Sequence, residues 1–519
     1  MRHLRLLMTP VILMPLLAQS TTVARIKGLL TVPQLVAVVA DVKPLGSTMT
    51  LEDLQKTNKR ATREEAPPVI TVQPAAEPEP ALKIRFYPYR WELKPGSALL
   101  HFSRAQLMFA QLPGEKPALW QSSEWLEGEG DGPIPTAQEL EKVVLSLEYI
   151  YSELHQMALS EDFGFDHRMR DLKGTDIYTY RLADIQEARA LARILVLKIR
   201  YQLSKKDFDG AFSSTTDGLR LAEFVGQGES LIVKLIGTAI QNMMRDQITK
   251  AISTPGCPNL YWALASIPRP LLSVRESVMW ELRNTPQVLP QLAEAETDTW
   301  TDAEAGEKWA SLVDALAELG VSGIIADDAR VALAIASVTF VDSARKRLIE
   351  RGVPIERLKK LPGLQIVLMD AAKELRRVGD DLGKTYLLPV AIGNDVMKRE
   401  NHRFQQWIQQ NRMSSMAAII AGLLYPAGAQ VREAELRTQM AYNRLMTLEA
   451  LRMHAATHDG QLPKSLADLS PMPAMPDAYT GKPFEYKLED INETKHVTLT
   501  AAGPTNYKPL QVLRVRFEE

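Results

Sequence analysis

The sequence predicts an α+β protein in which a large all-helical body precedes a small helix-plus-antiparallel-sheet tail. Three observations carry this. Apolar residues recur at spacings of three and four between about residues 84 and 425, punctuated by helix starts and stops. Short alternating segments with strand character are confined to the end, at 484–488, 496–500 and 512–517. At 519 residues the chain is also too long for one core, so several domains are expected.

In chain order, Arg2, His3 and Arg5 precede an apolar run over 6–18, which is too short to span a bilayer and suits a signal peptide over 1–24. The alternative is an uncleaved anchor, giving membrane association through the N-terminus. Either reading places the protein outside the cytoplasm, in the periplasm or at the cell envelope. Residues 25–83 read as an apolar patch followed by a linker rich in Pro, Glu and Ala, with little to bury.

The helical body is assigned to 84–425. Thr136 and Glu139 have capping-box spacing and open a helix carrying Leu140, Val144, Leu147, Tyr151 and Leu154 on one face. Residues 183–204 and the stretch from Phe208 onward form a helical hairpin around the turn KKDFDG. A single hairpin is expected rather than a repeat array, because no second copy stands 34 residues away. Another apolar helix, 230–252, stops at STPGCP. Residues 283–300 read as an acidic loop. Thr301 and Glu304 form a second capping box, and 326–350 ends in a basic turn before Gly352. Helices are expected near 364–378 and 396–424, and the tail, 426–519, starts with a long helix over 428–458.

A net charge of −2 gives no support to nucleic acid as a partner. The one cysteine, Cys257, excludes an intramolecular disulfide and reads as a small buried residue between two prolines. There is no GxSxG, GxxxxGK[ST] or GxGxxG after a strand, so neither a hydrolase elbow nor a nucleotide loop is indicated. Asp166 and His167 could form an acid/base pair, but they also fit a charged surface loop. His454 and His458 are four apart on a helix, so both imidazoles could reach one metal ion; Ala455 stands where a zinc hydrolase needs Glu, and the competing reading is two polar-face residues. No cofactor is indicated. Tyr261, Trp262 and Arg269, with Trp280, could line an interaction surface, against the reading that they pack in a core.

At PNLYWALASIPRPL and at EALRMHAATHDGQLPKSLADL…DAYTGKPFEY, the chain resembles an uncharacterised family of exported planctomycete proteins, over about 84–519. His454 replaces the family's usual aromatic and Ala478 its usual Pro. The tail also resembles the globular part of the major type II secretion pseudopilin. In that motif Gly460 stops the helix, Leu462 and Pro463 turn the chain, Leu466 and Leu469 fold back as an apolar clasp, and Thr480-Gly481-Lys482-Pro483 turns into a strand. The resemblance implies export and a docking module but no activity. The expected function is therefore a non-enzymatic exported scaffold or binding protein with an unidentified protein partner. The alternatives are a hydrolase with its site in the helical body, or a component of a secretion or pseudopilus assembly.

Overall fold

The computed structural model describes residues 69–518, apart from 113–119, 121, 129–131, 165–168, 180–182, 319–326, 426–427, 493 and 504–510. The expected signal peptide and apolar patch, and the pair Asp166 and His167, lie outside the described residues.

The chain opens with β1 (Val69–Val72), β2 (Lys94–Ser97) and α1 (Ala98–Ala110). Then come α2 (Ala137–Ser146), α3 (Glu148–Leu159), β3 (Ser160–Asp162), α4 (Ala183–Ser204), α5 (Phe208–Val225), α6 (Leu231–Ile252) and α7 (Tyr261–Ala265). The second half of the body holds α8 (Arg275–Arg283), α9 (Thr285–Val288), α10 (Pro290–Thr297), α11 (Asp302–Glu318), α12 (Asp327–Glu350), α13 (Gly363–Gly383), α14 (Val390–Asn411) and α15 (Met416–Leu424). Finally come α16 (Gly428–Thr457), β4 (Glu485–Ile491), β5 (Thr494–Thr500) and β6 (Val512–Phe517); three further one-turn α-helices and three 3-10 turns among the described residues are left unnumbered.

Both capping boxes form. Thr136 Oγ1 accepts from the Glu139 amide at 3.2 Å while the Glu139 carboxylate takes the Thr136 amide at 2.8 Å. Thr301 and Glu304 repeat this at 3.3 and 2.7 Å. Each satisfies two donors that a bare helix start leaves open.

Among the described residues three apolar cores result. One joins α1–α3 to α4–α6 through Phe102, Leu147, Leu154, Leu191 and Phe224. A second fills α8–α15 around Leu292, Leu312, Ile366 and Ile420. The third lies between the sheet and α16 and also takes Ile199, Phe212, Ile248 and Leu264 from the body. Helices α4–α6 therefore bury two faces, one into each neighbouring core.

Several expectations need correction. The stretch read as a linker contains β1, which pairs parallel to β6 with Val69 opposite Arg514 and Val72 opposite Phe517. The sheet, ordered β1-β6-β5-β4, is thus mixed rather than antiparallel. VITV is four residues with a single buried side chain, Val72, so in sequence it is too short to stand out from its Pro- and Glu-rich surroundings. The supposed acidic loop at 283–300 contains α9 and α10, each with Pro in its first turn and with Val288, Leu292 and Ala295 buried. The helix expected over 396–424 is two, α14 and α15, divided at Ser415, which is extended (φ −143°). The first helix likewise divides at Leu147 into α2 and α3.

The boundary placed at 425/426 runs alongside a shared core. Leu436, Met440, Leu445, Leu448 and Leu451 of α16 sit in one cluster with Ile248, Leu260 and Leu264 of the body. A helix buried on all sides shows no amphipathic stripe, and α16 also buries Arg432, Glu435, Thr438, Asn443, Thr447, Glu449, Arg452 and His454. Among the described residues, no helix is long and apolar enough to cross a membrane.

Candidate functional site

Buried polar groups need partners, so the polar residues of α16 show what the helix holds. The densest set is built on Glu449 and Arg452, whose side chains are 0% and 1% exposed. One helical turn apart, they pair at 2.8 and 3.0 Å. Arg452 spends its remaining donors on backbone: Nε on the Gln73 carbonyl and Nη2 on the Cys257 carbonyl, each at 2.8 Å. The Glu449 carboxylate accepts the Leu260 amide at 2.6 Å. Asn259 closes the ring. Its Nδ2 donates to the Glu449 carbonyl at 2.8 Å and to the Ala75 carbonyl at 3.2 Å, while its Oδ1 accepts the Tyr261 amide at the start of α7 at 3.0 Å. The Ala75 amide returns a bond to the Arg452 carbonyl at 3.1 Å.

This hub ties three distant pieces of chain together: the segment after β1, the TPGCPN loop and α16. It joins the two stretches that stood out in sequence, PNLYWAL and LEALRMHAATHDG. Cys257 lies inside it, and burial pushes the thiol up to about 12, so the thiolate that would react is disfavoured.

A second group binds α16 to the segment after the clasp. Asn443 donates to the Pro476 carbonyl at 2.7 Å, and Thr447 Oγ1 accepts the Met475 amide at 3.1 Å. Asp477, almost fully buried, then organises the hairpin turn. Its Oδ1 takes the Tyr479 amide and its Oδ2 the Ala502 amide, both at 2.7 Å, and its carbonyl takes the Gly481 amide at 2.8 Å.

The residues expected to form an interaction surface belong to this packing. Tyr261 is buried, with its hydroxyl donating to the Pro473 carbonyl at 3.2 Å. Trp262 stands edge-on to it, centroids 5.4 Å apart, and donates to Glu77. Arg269 donates to Asn443 Oδ1 at 3.1 Å and to the Leu264 carbonyl at 3.3 Å, and also contacts Met446. Trp280 packs elsewhere, against the core of α8–α15. Tyr261 and Arg269 thus meet acceptors within the fold at a seam beside α16, whereas Trp262 is half-buried and meets the exposed Glu77.

Beside that seam is a small cleft between α6, the PRPL turn and α16, lined by Gln241, Arg269, Leu271, Glu435, Gln439 and Tyr442. It leaves about 30 Å³ for the centres of water molecules, which suits a water or two rather than a metabolite. Burial raises the Glu435 pKa, opposed by Arg432 at 2.9 Å.

His454 and His458 are close, but not as metal ligands are. Their rings stack with centroids 3.9 Å apart and planes 9° from parallel. Ring nitrogens bind zinc in the ring plane at ~2.0–2.1 Å, and two stacked parallel planes cannot share such a point. His454 Nδ1 lies 3.2 Å from the Ser470 amide, and His458 Nδ1 lies 2.9 Å from the His454 carbonyl. Among the described residues no three His, Cys, Asp or Glu gather where they could hold a metal ion. The polar-face reading is also corrected for His454, which is buried and fastens the loop after the helix.

Elsewhere, His155 Nδ1 meets the buried carboxylate of Asp217 at 3.0 Å, and this bond raises the His155 pKa. Asp370 receives Arg347 at 2.9 Å and Arg351 at 3.2 Å, joining α12 to α13. Sequence reasoning passed over Asn259, Asn443, Glu449, Arg452 and Asp477. A Glu and an Arg three apart, set among Leu448, Ala450, Leu451 and Met453, were the available signal.

Comparison with protein-family models, with curated proteins and with solved structures finds no match to this chain.

Proposed function

We propose that the protein is a non-enzymatic exported scaffold that docks a protein partner through its pilin-like tail. The observation that supports this reading is the use made of the buried charges. Glu449 and Arg452 bind each other and backbone of Gln73, Cys257 and Leu260, Asp370 takes Arg347 and Arg351, and Arg432 pairs with Glu435. Charges spent in this way stiffen a framework rather than face a substrate. The tail supplies a docking edge: β4 is an outer strand, with Leu488 and Ile491 37% and 47% exposed.

The test is co-purification of the full chain with type II secretion pseudopilus subunits, the assembly named by the tail's resemblance. The native chain is compared with a Leu488→Asp/Ile491→Asp double variant, which alters only exposed positions of β4. A subunit retained by the native chain and lost by the variant, at unchanged melting temperature, is the expected result. Equal retention by both, or retention by neither, overturns the reading.

A further inference from the structure

We propose that the stacked His454–His458 pair is an acid-sensitive latch, which holds the segment 459–475 on the end of α16 while the rings are neutral and releases it when they take up protons. The inference starts from how that segment is held. After α16 the chain reverses through two left-handed residues, Asp459 (φ 49°) and Gly460 (φ 74°), and the Gly460 amide returns to the Ala455 carbonyl at 2.9 Å. Leu462 and Leu466 then fold back into the core shared by α16 and the sheet.

At Ser470 the clasp is fastened by one imidazole, while Tyr261 and Thr447 hold Pro473 and Met475 beyond it. His454 Nδ1 lies 3.2 Å from the Ser470 amide and 3.1 Å from the Ser470 carbonyl. A neutral ring can present its lone pair to the amide. An imidazolium has only donors, so the amide loses its acceptor and only the carbonyl contact can survive. The neighbour makes that change costlier. His458 stacks on His454 and points Nδ1 at the His454 carbonyl, an arrangement that a protonated His458 keeps at a helix C-terminus. A proton on His458 therefore places a charge directly against the face of the ring that holds the clasp.

Burial is the main cause lowering the His454 pKa and His458 adds to it, against the Ser470 carbonyl, which favours the charged ring. The charged group facing the pair from the clasp is Asp468, which pulls the same way as that carbonyl but is also engaged by the Ser465 amide and hydroxyl at 3.1 and 2.8 Å. From the sheet, Lys495 reaches the same turn, donating to the Gly460 carbonyl at 3.0 Å and to Gln461 Oε1 at 2.9 Å, and it adds positive charge there. Release would uncover Leu462 and Leu466 and the end of α16 beneath them, so the latch would couple acidity to exposure of an apolar surface.

The test is hydrogen exchange of peptides covering 459–475 in the full chain, native against His454→Phe, at pH 7.5 and pH 5.5. Phe keeps a ring to stack and fill the site but takes no proton, and at a given pH the intrinsic exchange chemistry is the same for both chains. The ratio of native to variant exchange should rise several-fold between pH 7.5 and pH 5.5. A ratio that does not change with pH overturns the latch. If His454→Phe does not fold, His458→Gln serves, since it leaves the Ser470 contact and removes the second charge. The native-to-variant ratio should rise on acidification there too, and a flat ratio overturns the proposal.

Discussion

Replacing the hub pair Glu449 and Arg452 should reveal strong, non-additive coupling. Arg452→Met removes the bonds to the Gln73 and Cys257 carbonyls and leaves the buried Glu449 carboxylate with the Leu260 amide as its remaining donor. Breaking one side of a buried, hydrogen-bonded ion pair costs about 3–5 kcal/mol. Glu449→Leu leaves the guanidinium with carbonyl acceptors only, for a similar loss. Simple addition therefore gives about 6–10 kcal/mol for both changes. The double variant buries no charge. What it leaves unpaired are the Gln73 and Cys257 carbonyls and the Leu260 amide, at about 1 kcal/mol or somewhat more each. Its loss should thus be about 3–5 kcal/mol, and the coupling about 3 kcal/mol or larger. The assay is native-state hydrogen exchange of the α16 amides in the four chains of the cycle, because a chain with three cores need not unfold in one step. Losses that add to within about 0.5 kcal/mol would mean the two side chains act independently, and the hub as described would be wrong.

Two further outcomes follow from single positions. Gly460 has φ +74° with open space where a Cβ would stand, so Gly460→Val should cost about 1–2 kcal/mol through backbone strain alone. The measurement is the urea midpoint of the full chain, since α16 packs into the body, and an unchanged midpoint would show the helix stop to be unstrained. Glu281 accepts the Leu231 amide at 3.0 Å, and burial pushes its carboxyl up to about 7 from an ordinary 4.5. The folded state then holds this proton more tightly than the unfolded chain does. Its contribution is greatest below pH ~4.5, falls as pH rises towards 7, and is level above that. Glu281→Gln keeps an acceptor without the titration, so melting curves from pH 5 to pH 8 should lose that part of the slope. An identical slope in the variant refutes the assignment.

Local signals proved legible wherever one segment contains its own reason. The pairs Thr136/Glu139 and Thr301/Glu304 satisfy donors within four residues, so their spacing alone reveals a helix start. The stop at Gly460 and the turn at Gly481 are likewise local, set by positive φ. The long helices were readable from apolar spacing, although Leu147 and Ser415 interrupt two of them where no Pro or Gly marks the break.

Long-range partnership was not legible. VITV becomes a strand because β6, more than 400 residues later, offers it an edge, and nothing inside four residues announces that pairing. Tyr261, Trp262 and Arg269 have the composition of a binding surface, and only distant partners, Pro473, Glu77 and Asn443, decide how each is held. The HxxxH spacing allowed chelation or exposure, and the choice of a stacked latch came from Ser470, sixteen residues away.

Sequence alone thus determined the class of the molecule, the position of most helices, the helix–clasp–hairpin order of its end and the absence of a disulfide, because these depend on residue type and short spacing. Tertiary structure decided that α16 is a central buried helix, that the N-terminal strand completes the sheet, and that the charges in between act as fasteners. Those outcomes depend on which distant groups are left to satisfy one another once water is excluded, and a buried donor finds its acceptor by proximity in space, not by order along the chain.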